Sequence, residues 1–496
     1  MLSEVVDFLE QGGLGEPVER VDTHGAHLFL GRDTVWKMKR PVKFRFLDFS
    51  TLEQREQIIR QELELNRRTA PSIYRAVVAV VRRDDGELEV GGSGAPVEWL
   101  LEMARFERSD QLDRMAADGR LSAQTIEELA GRVAAFHAQA PLVRDGGGHA
   151  ALADVVAGNT ADLLDLAPAM VDRASVEKLD RLSREHLERH RDLLDRRRED
   201  GRVRHCHGDL HLGNVVLLDG APTPFDCLEF DPALASVDVI YDLAFLIMDL
   251  LHRGLPVHAQ RALQGWLDVT EDDQAVALLP LCLGTRAAVR AKVEGFQDNA
   301  AAARSYLDLA LTVFATRPAT LVALGGVSGT GKTTVARGLA PDLGPLPGAV
   351  VLRSDVLRKG MFGRRPEDRL DADAYRPEVS RRVFARIAER SACLLQAGQA
   401  VIADAVYGEP AQRDAIAQVA ARAGVRFRGL WLEAPPAVLE ARVAARTGDA
   451  SDATVEVLRR QLDQIDRAAV SWTRVDASGS QAATLAEAVE AVRCGG

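Results

Sequence analysis

The stretch LVALGGVSGTGKTTVARGLA, residues 321–340, decides the reading of the C-terminal part of this chain. An apolar run, Leu321 to Leu324, leads into glycines and then into the helix-like run TVARGLA. The core of the stretch, Gly326 to Thr333, fits GxxxxGK[ST] in the strand–loop–helix context the pattern requires. Glycines let main-chain N–H groups fold around phosphate oxygens at a helix N-terminus, where the helix dipole adds positive potential. Gly326, Ser328, Gly329, Thr330, Gly331 and Thr334 are therefore expected in a phosphate cradle. Lys332 is expected to reach the β- and γ-phosphates, and Thr333 to hold Mg²⁺. The alternative is a chance glycine loop between strand and helix.

Downstream, strand-like runs at AVVLRSD, AVIADAV and FRGLWLEA alternate with helical ones, which predicts a doubly wound parallel sheet over residues 319–496. Asp355 follows the first of these strands, at the end where open α/β sheets place ligands, and is a candidate general base for a hydroxyl. A helix N-cap is its other reading. Arg353 and Arg358 are expected to hold the acceptor, with Lys359 beside them. Asp404, at the end of VIADAVY, is suited to the Mg²⁺ shell, or is a turn residue. Arg442 and Arg446 lie four apart on one helix face ahead of TGDASDAT, as in a lid over phosphates, or else mark an exposed basic face. These residues together resemble the small-molecule P-loop kinases related to gluconate kinase, chloramphenicol phosphotransferase, polynucleotide 5′-kinase and zeta toxins. The resemblance implies phosphorylation of an acceptor hydroxyl, with Asp355 as base.

Working outward to the N-terminal side, HGDLHLGN, residues 207–214, is followed by VVLLDG and PTPFDCLEFDP. An aspartate and an asparagine five residues apart, then an aspartate on the next hairpin, supply a base and two metal ligands for in-line phosphoryl transfer. Asp209 is the expected base, and Asn214 and Asp226 the expected Mg²⁺ ligands. This constellation resembles the aminoglycoside phosphotransferase and choline kinase superfamily, whose fold is similar to that of protein kinases. The resemblance implies a strand lysine gripping the α/β-phosphates and a helix glutamate paired with it, here Lys37 and Glu62. Lys39 points to the same face as Lys37 and is the alternative. EWLLEMARF resembles an interlobe hinge, with Glu102 and Met103 offering main-chain groups to adenine, or is an ordinary buried strand. The phosphate-covering loop, DTHGAHLFLG, departs from the glycine-rich pattern and leaves Thr23 and His24 to replace N–H contacts. An inactive kinase-like scaffold is the corresponding alternative.

The expected architecture is thus α/β multidomain: a bilobal protein-kinase-like fold over 1–316, with a small lobe to about 105 and a helical lobe from about 106, then the P-loop sheet over 319–496. At 496 residues more than one core is required. The order of the two modules resembles a family of bacterial bifunctional proteins known by that pairing. Such a chain takes ATP and Mg²⁺ and a small-molecule hydroxyl acceptor.

Composition narrows the classes. A net charge of −11 and 5% aromatic residues argue against a protein built to coat nucleic acid or to stack single strands, although Arg353, Arg358, Arg442 and Arg446 keep a polynucleotide 5′-kinase as an alternative. Five scattered cysteines, without CxxC or a His cluster, suggest neither a disulfide framework nor a zinc site. Acids near the N-terminus and apolar runs shorter than the about 20 residues a bilayer needs predict a cytoplasmic protein with no membrane partner.

Overall fold

The computed structural model describes residues 2–494 apart from 24, 45–46, 230, 366–367 and 446–450. The chain packs into two compact units, Met1–Asp154 with Arg191–Asp249, and Val155–His190 with Leu250–Gly496.

In the first unit the strands β1 (Glu19–Asp22), β2 (Ala26–Leu30), β3 (Thr34–Lys39), β6 (Tyr74–Arg82), β7 (Leu88–Val90) and β8 (Ala95–Ala104) form one antiparallel sheet in the order β1-β2-β3-β8-β6-β7, while β4 (Lys43–Phe44) and β5 (Leu47–Asp48) pair only with each other. Strand alternation sorts the side chains. Met38 and Leu100 turn to a core shared with Phe29, Val80 and the N-terminal Val5 and Leu9. Leu101 and Met103 turn to the other core, against Ile59 of the helix Leu52–Arg67. That helix starts at a reciprocal Thr51–Gln54 capping box, and its Arg55 grips the buried Glu98 of β8 at 2.7 and 2.9 Å. Lys37 and Lys39 lie on the face turned toward this helix. Two short ribbons flank the remaining expected residues, Asp209, Asn214 and Asp226: β9 (Val203–His205) with β12 (Ser236–Asp238), and β10 (Val215–Leu218) with β11 (Ala221–Pro224).

The second unit is built on five parallel strands, β13 (Thr320–Gly325), β14 (Val350–Arg353), β15 (Val401–Asp404), β16 (Arg426–Glu433) and β17 (Thr473–Asp476), in the order β14-β15-β13-β16-β17. The doubly wound sheet expected from the sequence is present, and β17 is a strand the sequence reading did not mark. β13 is central and wholly buried, so its C-terminal end delivers the glycine loop beside Asp404.

The edge strand β14 would present unpaired main-chain groups. They are covered by the helix Pro256–Thr270, which lies upstream of β13 in the chain. Gln264 Oε1 accepts the Val351 N–H at 2.8 Å while its Nε2 donates to the Val351 carbonyl at 3.0 Å, as a neighbouring strand residue would. Gln260 Nε2 donates to the Ala349 carbonyl at 2.9 Å. Close by in sequence, Asp273 takes two bonds of 2.8 and 2.7 Å from the buried Arg390 guanidinium. Among the described residues, no helix is long and apolar enough to cross a membrane.

Replacing Gln264 by leucine leaves a buried N–H and C=O of Val351 without partners. Urea unfolding should register a loss of about 1–3 kcal/mol. An unchanged midpoint would mean that the side-chain clamp contributes nothing to the edge.

Candidate functional site

The first unit gathers its expected residues around a buried ion cluster. Lys37 Nζ lies 2.6 Å from Glu62 Oε1 and 3.1 Å from Asp226 Oδ1, so one ammonium joins the helix Leu52–Arg67 to the segment after β11. Lys39 occupies the same face and also reaches Glu62, at 2.6 Å, with its other contact 2.6 Å away at Glu229. Both lysines thus meet Glu62, but Lys37 is the one that touches Asp226. Burial by itself lowers the pKa of the Lys37 ammonium, yet the Asp226, Glu62 and Glu229 carboxylates outweigh it and hold the value well above the ordinary one. Burial likewise opposes ionisation of Glu62, but Lys37 and Lys39 bring its pKa down to about 2. Glu229 was not singled out in the sequence. The available signal was a second acid three residues after Asp226 in the otherwise apolar run FDCLEF.

Asp226 has a positive φ of 60°, a left-handed conformation that aspartate tolerates and that its surroundings secure. Its N–H donates to the Tyr74 hydroxyl at 3.1 Å, and the next N–H, of Cys227, donates to Asn66 Oδ1 at 2.8 Å. Asn66 lies one helical turn after Glu62, so a single helix face sets both the lysine partner and the Asp226 segment.

The loop between β9 and β10 brings Asp209 and Asn214 together, with Asn214 Nδ2 donating to Asp209 Oδ2 at 2.9 Å and to the Asp209 carbonyl at 3.0 Å. His211 Nδ1 accepts the Gly213 N–H, which leaves the proton of the neutral ring on Nε2, 3.5 Å from Asp209 Oδ2. His207 is buried and donates through Nε2 to the Phe225 carbonyl at 3.0 Å, a structural role. Asp242, 0% exposed, holds the loop from a core helix: it accepts the Gly208 N–H at 2.8 Å, the His207 N–H at 3.3 Å, and meets His137 Nε2 at 3.0 Å. Asp249 accepts the Leu212 N–H at 3.0 Å in the same manner.

Two N-terminal expectations change. Glu102 and Met103 sit inside the ladder, opposite Trp36 and Val35 on β3 and opposite Ala76 and Tyr74 on β6. A strand flanked on both sides has its main-chain groups engaged, so the chain past Ala104, and not these two residues, is the first outside the ladder. The β1–β2 connection is a tight hairpin in which Thr23 Oγ1 donates to the Ala26 carbonyl and accepts the Ala26 N–H, both at 3.0 Å. The Thr23 side chain closes the turn and does not extend over phosphates; His24 lies outside the described residues.

In the second unit the glycine loop has the strain a phosphate cradle needs. Gly326 has φ 140°, and a Cβ there would stand 2.6 Å from the Leu432 carbonyl oxygen; Gly329 and Gly331 have φ 88° and 83°. Thr330 and Ser328 are buried in the loop, where Ser328 donates its N–H to Gln461 Oε1 at 2.8 Å. Thr334 is exposed in the first turn of the helix Lys332–Leu339. Lys332 Nζ donates to the Gly326 and Val327 carbonyls at 2.9 and 3.2 Å. Thr333 Oγ1 donates to Asp404 Oδ2 at 2.7 Å, which pairs a hydroxyl with a buried carboxylate, the oxygen donor set that suits Mg²⁺.

Asp355 belongs to the first turn of the helix Ser354–Met361, whose N-cap is Arg353, so the N-cap reading of Asp355 does not apply. Burial, reinforced by the negative charge of Asp404, raises its pKa, while Arg353 and Lys332 act in the opposite direction. Arg353 stands opposite Asp404 in the β14–β15 register, with Nε 3.9 Å from Oδ2. Arg358, expected on the acceptor, instead donates to the Ala374 carbonyl at 2.6 Å and to Ser380 Oγ at 3.4 Å and lies over the Tyr375 ring, tying down the segment after its own helix. Arg442 is likewise corrected. Its guanidinium donates to the Ala477 and Gly479 carbonyls at 2.6 and 2.9 Å, holding the turn after β17. Arg446 lies outside the described residues. Asp452 and Tyr375 were not foreseen: Asp452 accepts from Tyr375 at 2.6 Å and from the fully buried Lys359 at 3.2 Å, an arrangement that links segments remote in sequence.

Two family models match the chain, one described as a phosphotransferase enzyme family over residues 40–279 and one as an AAA domain over residues 321–468. An uncharacterized protein of Mycobacterium tuberculosis (strain ATCC 25618 / H37Rv) is 31% identical over 453 residues, covering 88% of each chain, and one of Mycobacterium bovis aligns with the same values. The chain belongs to the same family as these proteins. Solved structures match the family's modules singly. A gluconokinase from Sinorhizobium meliloti 1021 is 25% identical over 36% of this chain and 93% of its own, with a TM-score of 0.26. A choline/ethanolamine kinase family protein from Mesorhizobium loti is 11% identical over 62% and 93%, with a TM-score of 0.41.

Glu62→Gln removes the charge shared by Lys37 and Lys39, and breaking a buried pair in this way costs about 3–5 kcal/mol, readable as a lower urea midpoint. In the second unit, any turnover that uses Asp355 as base requires its ionised form. Its raised pKa moves the acid limb of the rate profile to higher pH than an unperturbed aspartate would give, and Arg353→Gln should move that limb further up; a limb unmoved by this change would separate Asp355 from the base role.

Proposed function

We propose that the protein is an ATP-dependent phosphotransferase that delivers the γ-phosphate to hydroxyl groups of small molecules at two sites, one in each unit. The observation that carries the reading is the Lys37 ammonium joined to both Glu62 and Asp226, because phosphoryl transfer in kinase-like sites depends on that lysine–glutamate pair and on the metal-binding aspartate being in place together. Asn214 and Asp226 would hold Mg²⁺ in the first unit, and Thr333 with Asp404 in the second, where it would supply positive charge against the phosphates. Asp209 takes the acceptor's proton in one site and Asp355 in the other. Lys37 and Lys332 orient phosphates, and the glycine loop supplies N–H groups that cost no reorganisation.

A second reading, in which the first unit binds nucleotide without turnover, is favoured by the short β1–β2 hairpin, whose Thr23 is tied to Ala26. The two readings separate when the full chain, Lys332→Ala and Asp209→Asn are each incubated with γ-labelled ATP, Mg²⁺ and pooled sugars, amino alcohols, nucleosides and oligonucleotides. Two labelled products are expected, one lost in each variant, with the loss of the Asp209 base costing roughly 10²–10⁴-fold in rate. Label found only as free phosphate, and lost with Lys332→Ala alone, would remove the two-site reading. Label on 5′-hydroxyl oligonucleotides would redirect the acceptor class to polynucleotides.

A further inference from the structure

Beside the catalytic loop of the first unit lies a cavity of about 430 Å³ that the proposed transfer does not use. Its walls are the end of the helix Leu52–Arg67, one face of the helix Ala123–Gln139, the strand β11, and His207 and Leu210 on either side of Asp209. Asp209, Asn214, Asp226 and Lys37 are not among them. The volume falls in the range of small-molecule pockets, about 300–1,000 Å³.

Its chemistry is one-sided. Arg68 is half-buried and fixed by donating to three main-chain carbonyls, those of Leu65 at 3.0 Å, His205 at 2.9 Å and Cys206 at 3.3 Å, while its plane lies over Phe136 with the ring centre 5.1 Å away. All of these partners are neutral, and among the described residues no carboxylate forms an ion pair with Arg68. The uncompensated charge is felt nearby: burial, with Arg68 adding to it, lowers the pKa of His205. Arg132 adds a second guanidinium at the exposed rim, with one contact to Glu128 at 3.2 Å. Among the described residues, none lining the cavity carries a carboxylate. On the floor, His207 is 1% exposed, with its Nε2 donating to the Phe225 carbonyl at 3.0 Å. Val133, Phe136, Leu210 and Pro224 supply apolar surface.

We propose that this cavity binds a small organic anion, an aromatic or apolar ring carrying one carboxylate or phosphate group, with the anion between Arg68 and Arg132 and the ring against Phe136. A half-buried guanidinium without a counter-charge gains from an anion that desolvates it, and a planar guanidinium fork suits either oxyanion. Because His207 and Leu210 bracket Asp209, an occupant touches the catalytic loop at residues close to Asp209 in sequence without lining Asp209 itself. Any resulting change in nucleotide affinity is matched by an equal change in the affinity for the anion.

The test is calorimetric titration of the full chain with 2-naphthoate, 1-naphthyl phosphate and inorganic phosphate. Saturable binding of at least one naphthyl probe is expected. It should weaken at least tenfold in Arg132→Glu, which reverses the rim charge, and in Ala135→Trp, which fills the cavity from an exposed wall position, with urea midpoints close to that of the unaltered protein. The stronger of the two naphthyl probes tells a carboxylate site from a phosphate site. Binding of inorganic phosphate as tight as the naphthyl phosphate would overturn the role of the ring. Absence of saturable binding by all three, or equal affinity in both variants, would overturn the site.

Discussion

Glu62 is the residue on which the first unit depends. It is fully buried and ionised, and an ionised carboxylate is tolerated there only because two ammonium groups stand against it at 2.6 Å. This requirement places β3 against the helix Leu52–Arg67, since Lys37 and Lys39 project from one face of the strand. It also draws in the segment after β11, whose Asp226 meets Lys37 and whose Glu229 meets Lys39. Asn66, a turn further along the helix, then fixes the backbone of that segment. The parts needed for phosphate chemistry are positioned by the same contacts that allow the charges to be buried.

The second unit answers a different constraint. A parallel sheet brings its loops to one edge, and the central strand β13 consequently presents the glycine loop next to Asp404 from β15 and within the field of Asp355 after β14. Parallel strands are buried, so the exposed side of β14 must be covered. Side-chain amides of Gln260 and Gln264 do this by reproducing a strand's hydrogen bonds. Val351, which Gln264 holds by both main-chain groups, is two residues from Arg353, so the helix Pro256–Thr270 helps set the strand end that leads into the helix of the candidate base.

Arginines show how position in the fold overrides a residue's general suitability for phosphate. Arg442 ties two main-chain carbonyls, and Arg358 one carbonyl and the Ser380 hydroxyl, each fastening segments of its own unit. Arg68 plays the same part in the first unit. A guanidinium has five donors in a planar fork, which suits loop carbonyls as well as oxyanions, and the pattern of neighbours, not the residue type, decides which it meets.

Much of this was legible in the sequence. GVSGTGKT with its flanking runs, and HGDLHLGN with the later Asp226, each carry their chemistry in a few consecutive residues, and the periodicity of apolar runs after residue 319 reports the parallel sheet directly. Strand alternation placed Lys37 and Lys39 on one face, and the structure brings both to Glu62. What the sequence determined by itself was therefore local: loops whose backbone conformation needs glycine, and sets of acids and amides a fixed few residues apart. Tertiary structure alone decided the rest: that Glu229 joins the ion cluster, that Arg358 and Arg442 face carbonyls, that Glu102 and Met103 lie within a ladder, and that Gln260 and Gln264 cover β14. Those outcomes depend on which elements meet across 16 to 190 residues of chain or on how a segment is flanked, and burial energy summed over whole surfaces, which no short pattern records, selects those meetings.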